Sequence, residues 1–151
     1  ALKLRLSFGT VCGYTPFDGA EYDYYTTTKG ILEKVKTHAG DVDFEVQPEL
    51  LSLFSNRDFG RYAGEKGEMN VCFISNNDIT GGNSGSAMFN ARGELLGLAF
   101  DGNWEAMSSD ILYEPKMQRC IGVDVRYILF MIERYGKAGN LIRELKIASG
   151  R

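Results

Sequence analysis

The feature that most constrains this chain is the run Gly81-Gly82-Asn83-Ser84-Gly85-Ser86, set between short apolar stretches. Asn70 to Ile74 reads as a strand leading into it. Ala87 to Asn90 and Glu94 to Phe100 read as strands leaving it, joined by Ala91-Arg92-Gly93. A three-residue loop ending in glycine suits a hairpin, because glycine readily takes the left-handed conformation such a loop needs. A glycine-rich turn that opens into a hairpin calls for an antiparallel sheet.

The rest of the chain fits a β-rich domain with helices added. Leu2 to Gly13 alternates apolar and polar residues through Phe8 and predicts a strand ending near the turn Gly13 to Pro16. Phe17 to Tyr25 is a tyrosine-rich loop, and Tyr25 to Val35 predicts a second strand. Pro48 opens a helix whose apolar face holds Leu50, Leu51, Leu53 and Phe54. Arg119 to Val123 predicts another strand. Asp124 is placed to cap a helix with Ile128, Met131, Ile132 and Tyr135 on one face; Gly136 to Gly139 interrupts it and Leu141 to Ile147 resumes. The expected fold is mainly β: a single domain over 1–151, with a β-barrel over 1–123, a short helix near 48–59, and helices over 124–147.

Composition narrows the function. The formal net charge of −3 gives no electrostatic case for nucleic acid. The longest apolar run, Tyr127 to Ile132, is far too short to span a bilayer. Cys12, Cys72 and Cys120 show no close-spaced metal pattern and read as small buried hydrophobes. Ala1 opens directly onto the alternating Leu2-Lys3-Leu4-Arg5-Leu6, so the chain is expected to be a piece of something longer.

Acyl transfer by serine needs an exposed hydroxyl on a tight turn, with backbone N–H groups aimed at the developing oxyanion. Ser84 is placed for the first role, and the N–H groups of Gly82 and Ser84 for the second. Gly85 lets the chain leave without crowding the hydroxyl. A hydrolase nucleophile elbow would need a helix directly after the serine, whereas Ala87 to Asn90 leads into a hairpin. A plain structural turn is the competing reading. The only histidine, His38, lies close upstream beside Ala39 and Gly40 and reads as a surface-loop residue. The general base and its aspartate are therefore expected outside these residues, leaving the fragment inactive alone.

Thr80 to Ser86, Gly93 to Leu98, the block Phe100-Asp101-Gly102-Asn103-Trp104-Glu105, and Val123 to Tyr127 together resemble the bacterial dipeptidyl-peptidase 7 and 11 family of serine peptidases. Tyr25-Thr26-Thr27 and Asp58-Phe59-Gly60-Arg61-Tyr62 extend the resemblance over nearly the whole chain. It implies the second barrel of a chymotrypsin-like double-barrel peptidase, with a first barrel and a large helical domain elsewhere in the same parent. It also implies removal of dipeptides from oligopeptides with a free N-terminus, no metal or cofactor, a periplasmic or cell-envelope location and a homodimeric parent.

By the same resemblance Ser84 matches the nucleophile, and Gly82 with Ser84 the oxyanion donors. Asp101 matches an acidic residue that binds the substrate's α-ammonium. Gly102 matches the position governing preference for the substrate's second residue; family members that prefer Asp or Glu carry arginine there. The chain departs from the family at Ala87, where most relatives have proline. Asn83 stands where animal digestive enzymes have an aspartate, so activation through a newly cut N-terminus is not expected.

Other features have plainer readings. Asp78, six residues before Ser84, suits a polar turn as well as a pocket selecting basic residues. Trp104 could line a pocket or pack in the core, and Tyr22, Tyr24 and Tyr25 read as packing residues. Two alternatives stand beside the dipeptidyl-peptidase: a trypsin-like endopeptidase, and a non-catalytic peptide-binding module on a protease barrel.

Overall fold

The computed structural model describes residues 5–64, 66–108 and 112–148. These fall into two compact units, one of Ala1–Tyr25 and Cys72–Asp124, the other of Thr26–Val71 and Val125–Arg151. The strands are β1 (Tyr25–Thr27), β2 (Asn70–Ser75), β3 (Ala87–Phe89), β4 (Leu95–Gly102) and β5 (Cys120–Asp124). They form one sheet in the order β1-β2-β5-β4-β3, with β2–β5, β5–β4 and β4–β3 antiparallel.

Register in the first unit depends on two glycines. A Cβ on Gly97 would stand 2.1 Å from the Val123 carbonyl oxygen and 2.8 Å from Phe73 Cε1; one on Gly122 would stand 2.9 Å from Phe73 Cζ. The buried ring of Phe73 therefore covers backbone that no other residue would leave open. Gly122 pairs with Phe73 on one side and with Ala99 on the other. The hairpin between β3 and β4 forms as the sequence predicts. Asn90 and Glu94 close it, Asn90 Oδ1 accepts the Arg92 and Glu94 N–H groups, and Gly93 has φ +75°.

The second unit is helical. It contains α1 (Thr28–Thr37), α2 (Pro48–Ser55), α3 (Val125–Phe130), a π turn over Met131–Tyr135 and α4 (Gly139–Glu144). Its core is aromatic: Phe54, Phe59, Tyr62, Met69 and Phe130 are buried together, with Ile31, Leu32, Leu50, Leu53 and Tyr127 against them. Phe130 packs on the rings of Phe54, Phe59 and Tyr127.

Glu133 joins this core to its rim. The Tyr62 hydroxyl donates to its carboxylate, and Arg61 Nη2 donates at 3.1 Å. First the Tyr62 hydrogen bond, then the Arg61 charge, hold the Glu133 carboxyl below its ordinary range. A carboxyl depressed on folding contributes stability above the unfolded carboxylate pKa and loses it as pH falls through the folded value. Glu133→Gln is thus expected to lower the unfolding temperature at neutral pH, with the gap from wild type closing as pH falls below the ordinary carboxylate range. A gap independent of pH would show that the carboxylate charge contributes nothing here.

Two expectations are corrected. The segment Tyr25 to Val35 is a strand only to Thr27; α1 follows, with Ile31, Leu32 and Val35 on one helical face and a Lys29–Glu33 pair one turn apart. The β-branched run Thr26 to Thr28 concealed that period. The proposed strand Leu2 to Gly13, of which residues 2–4 lie outside the described residues, reaches β2 only through Thr10 to Cys12. Leu6 and Phe8 are each 90% exposed, because alternation alone does not make a strand without a neighbour to pair with.

Candidate active site

Ser84 sits on an exposed turn between β2 and β3. Asn83 closes the turn on itself: its Oδ1 accepts the Thr80 N–H at 2.8 Å, its N–H donates to Thr80 O, and its carbonyl accepts the Ser86 N–H at 2.9 Å. Gly82 and Gly85 have φ of +97° and +87°, in the left-handed region that glycine tolerates. The space around the missing side chain of Gly82 is open.

The turn is stitched to β4. The Gly85 N–H donates to Ala99 O at 2.7 Å and the Ala99 N–H to Ser86 O at 2.9 Å. Between Ala99 and Asp101 the register with β5 slips, leaving Phe100 as an extra residue. Such a bulge redirects the local backbone; the Phe100 carbonyl accepts a long hydrogen bond, 3.3 Å, from Ser84 Oγ. Among the described residues, the N–H groups of Gly82 and Ser84 have no hydrogen-bond partner. Unpaired backbone donors on the turn of an exposed hydroxyl are the groups an oxyanion hole is built from.

Beside Ser84 lies a pocket of about 270 Å³. Its wall includes Gly102 and is mixed, with Thr80, Ser84, Asp101 and Asn103 giving a polar side and Ile79, Phe100, Ala106 and Met107 an apolar one. Gly102 is half-buried, and a Cβ there would meet Ala106 Cβ at 2.9 Å and Ile79 Cδ1 at 4.0 Å. Asp101 is exposed, with Oδ1 accepting the Gly102 N–H at 2.8 Å. One carboxylate oxygen is thus fixed by the backbone, and the group is held at the pocket's edge.

The structure therefore brings Ser84, Asp101 and Gly102 to one pocket and Gly82 to the same turn. Asp78 is not part of the pocket wall, whereas its neighbour Ile79 is. Trp104 is neither core nor lining but 81% exposed. Ile79, Ala106 and Met107 were not legible in advance, because neither the β4 bulge nor the short turn that follows it leaves a residue pattern. His38 ends α1 in the helical unit. Its Nδ1 lies 3.1 Å from Lys34 O and 3.0 Å from Thr37 Oγ1, and its ring stacks on Phe44 at 4.1 Å. Among the described residues no cluster of His, Cys, Asp and Glu could hold a metal, and no helix is long and apolar enough to cross a membrane.

An antiparallel sheet with a serine on a glycine-rich turn between two of its strands fits a serine peptidase, and comparison with known proteins agrees. The chain belongs to the peptidase S46 family, whose model matches residues 1–147. It is 55% identical to dipeptidyl-peptidase 7 of Porphyromonas endodontalis over 97% of the chain and 18% of that protein. It is 46% identical to the Asp/Glu-specific dipeptidyl-peptidase of Capnocytophaga gingivalis, over 95% of the chain and 20% of that protein. The crystal structure of P. endodontalis DPP11 in complex with the dipeptide Arg-Glu matches with a TM-score of 0.90 at 42% identity, covering 95% of this chain and 20% of that one. The chain thus spans about a fifth of the length of these relatives.

Proposed function

We propose that this chain is the nucleophile-bearing part of a serine exopeptidase that removes N-terminal dipeptides from oligopeptides. The observation that supports the reading is that Ser84, Asp101 and Gly102 line one pocket, with the unpaired Gly82 and Ser84 N–H groups on the turn that carries the serine. Ser84 attacks the second peptide bond of the substrate, and the two N–H groups take the oxyanion. The ammonium of the substrate's first residue pairs with Asp101 by charge-assisted hydrogen bonding. The general base and its aspartate come from other parts of the same protein, as do the first barrel and the helical domain. The parent works as a homodimer in the periplasm or cell envelope of a Gram-negative bacterium.

The second residue of the substrate lodges in the pocket beside Gly102, and a hydrophobic side chain fits best. Ile79, Phe100, Ala106 and Met107 supply apolar contact, and no cation stands among the lining residues. Burying Leu, Met or Phe contributes about 1.5–3 kcal/mol, whereas Asp or Glu would lose hydration without a partner.

In the full-length protein, Gly102→Arg is expected to lower kcat/KM about tenfold or more for substrates with Leu or Met second, by filling the pocket. It should raise cleavage after Asp or Glu by charge pairing. The close approach of Ala106 means that the turn after β4 must give by a few tenths of an ångström, so the gain on acidic substrates should be smaller than the loss on apolar ones. The assay compares both substrate classes in both proteins. A wild type that already prefers acidic residues would place selection elsewhere than this pocket.

A further inference from the structure

The wall of the pocket next to Gly102 is a short turn, Trp104–Ser108, which a polar network holds in place. Asn103 is its hinge. The Asn103 N–H donates to Arg119 O at 2.9 Å, and its Oδ1 accepts the Arg119 N–H at 2.8 Å. One asparagine thereby supplies both halves of a strand pairing and extends the β4–β5 ladder by one step. Its Nδ2 donates to Met117 O and to Glu105 Oε2, each at 2.8 Å. Its carbonyl accepts the Ala106 N–H at 2.9 Å.

Glu105 carries the network further. The same Oε2 accepts the Tyr14 hydroxyl at 2.9 Å, from a segment distant in sequence. That segment is itself anchored by Arg119, only 5% exposed, whose Nη2 donates to Gly13 O at 2.8 Å and whose guanidinium lies 5.3 Å from the Tyr14 ring centre. The polar atoms of Asn103, Glu105 and Tyr14 are thus all directed at holding one turn. That turn carries Ala106 and Met107, both of which face the pocket.

We propose that Glu105, acting through Asn103 and Tyr14, is a positioning residue that fixes the turn Trp104–Ser108 and so sets the width of the pocket beside Ser84. Its consequence is selection by size of the substrate's second side chain. The inference rests on the reading of this pocket as the site of that side chain. A carboxylate that receives two donors from different segments stiffens the turn more than either contact alone. With the turn held, the pocket rewards a side chain that fills it; with the turn loose, large and small side chains are held more nearly alike.

The test uses the full-length enzyme and three dipeptidyl substrates differing only in the second residue: Ala, Leu and Phe. Glu105→Ala is expected to lower the Leu-to-Ala ratio of kcat/KM about tenfold, chiefly through KM for Leu, and Tyr14→Phe about threefold. Glu105→Gln keeps an acceptor oxygen and should restore most of the ratio. The rate at which a small fluorophosphonate labels Ser84 in Tyr14→Phe should stay within about threefold of wild type, because that reagent does not use the pocket wall. Equal losses on all three substrates, or an unchanged ratio in both Glu105→Ala and Tyr14→Phe, would overturn the proposal. If Glu105→Ala fails to fold, Tyr14→Phe decides alone. Ala106→Val separates the two readings. Should it leave the ratio unchanged, the pocket itself is misassigned and this inference falls with it. Should it change the ratio while neither Glu105→Ala nor Tyr14→Phe does, only the positioning role is lost.

Discussion

Ser84→Ala in the full-length protein is expected to reduce kcat by about four to six orders of magnitude while leaving the fold intact. Oγ is the attacking atom in the reaction proposed above, and Ser84 lines the pocket from an exposed turn. The structural cost is small: Oγ is exposed and makes one long hydrogen bond, to Phe100 O at 3.3 Å. Losing such a contact costs at most about 1 kcal/mol. Turnover of a dipeptidyl substrate and circular dichroism of the same preparation check the two halves separately. An alanine protein that still turns over at a tenth of the wild-type rate would remove Ser84 from the mechanism. It would also favour the reading of the chain as a non-catalytic binding module.

The second large effect is expected at Asp101. Asp101→Ala should lower kcat/KM on peptides with a free N-terminus by about 10- to 150-fold, the loss of a hydrogen bond to a charged group. The carboxylate is exposed here, so solvent screens it and the upper figure applies only if bound substrate excludes water. Acetylating the substrate's N-terminus removes the same interaction from the other side. The two changes should therefore not add: the mutant should handle free and acetylated peptides nearly alike, while the wild type strongly prefers the free form. Equal cleavage of both peptides by the wild type would favour the endopeptidase alternative. The trypsin-like reading has no use for a terminal ammonium.

Much of the site was legible in the residues because its geometry is local. The spacing of Gly82, Ser84 and Gly85 announces a tight turn, and both glycines have positive φ. The β3–β4 hairpin was legible for the same reason, since its loop chemistry lies within five residues. What the sequence concealed is non-local. The bulge at Phe100 depends on register with β5, and the partnership of Glu105 with Tyr14 joins segments whose proximity only the folded sheet creates. Helix α1 was missed because three threonines in a row favour extended backbone locally, whereas burial of Ile31 and Leu32 in the aromatic core favours helix.

The close contact of the Phe73 ring with Gly97 and Gly122 bears on how such a sheet can change over time. Neither glycine lies in the pocket, yet a single methyl group at Gly97 would meet the Val123 carbonyl and part β4 from β5, and one at Gly122 would displace Met88 and Phe73. A screen scoring only activity would rank both among the most sensitive positions of the chain. Their sensitivity would report packing rather than chemistry. At Gly122 smaller side chains at positions 73 and 88 would have to come first, whereas at Gly97 the Val123 carbonyl bars any side chain whatever stands at 73. The order of substitutions, more than their number, then limits which variants of this site are reachable one step at a time.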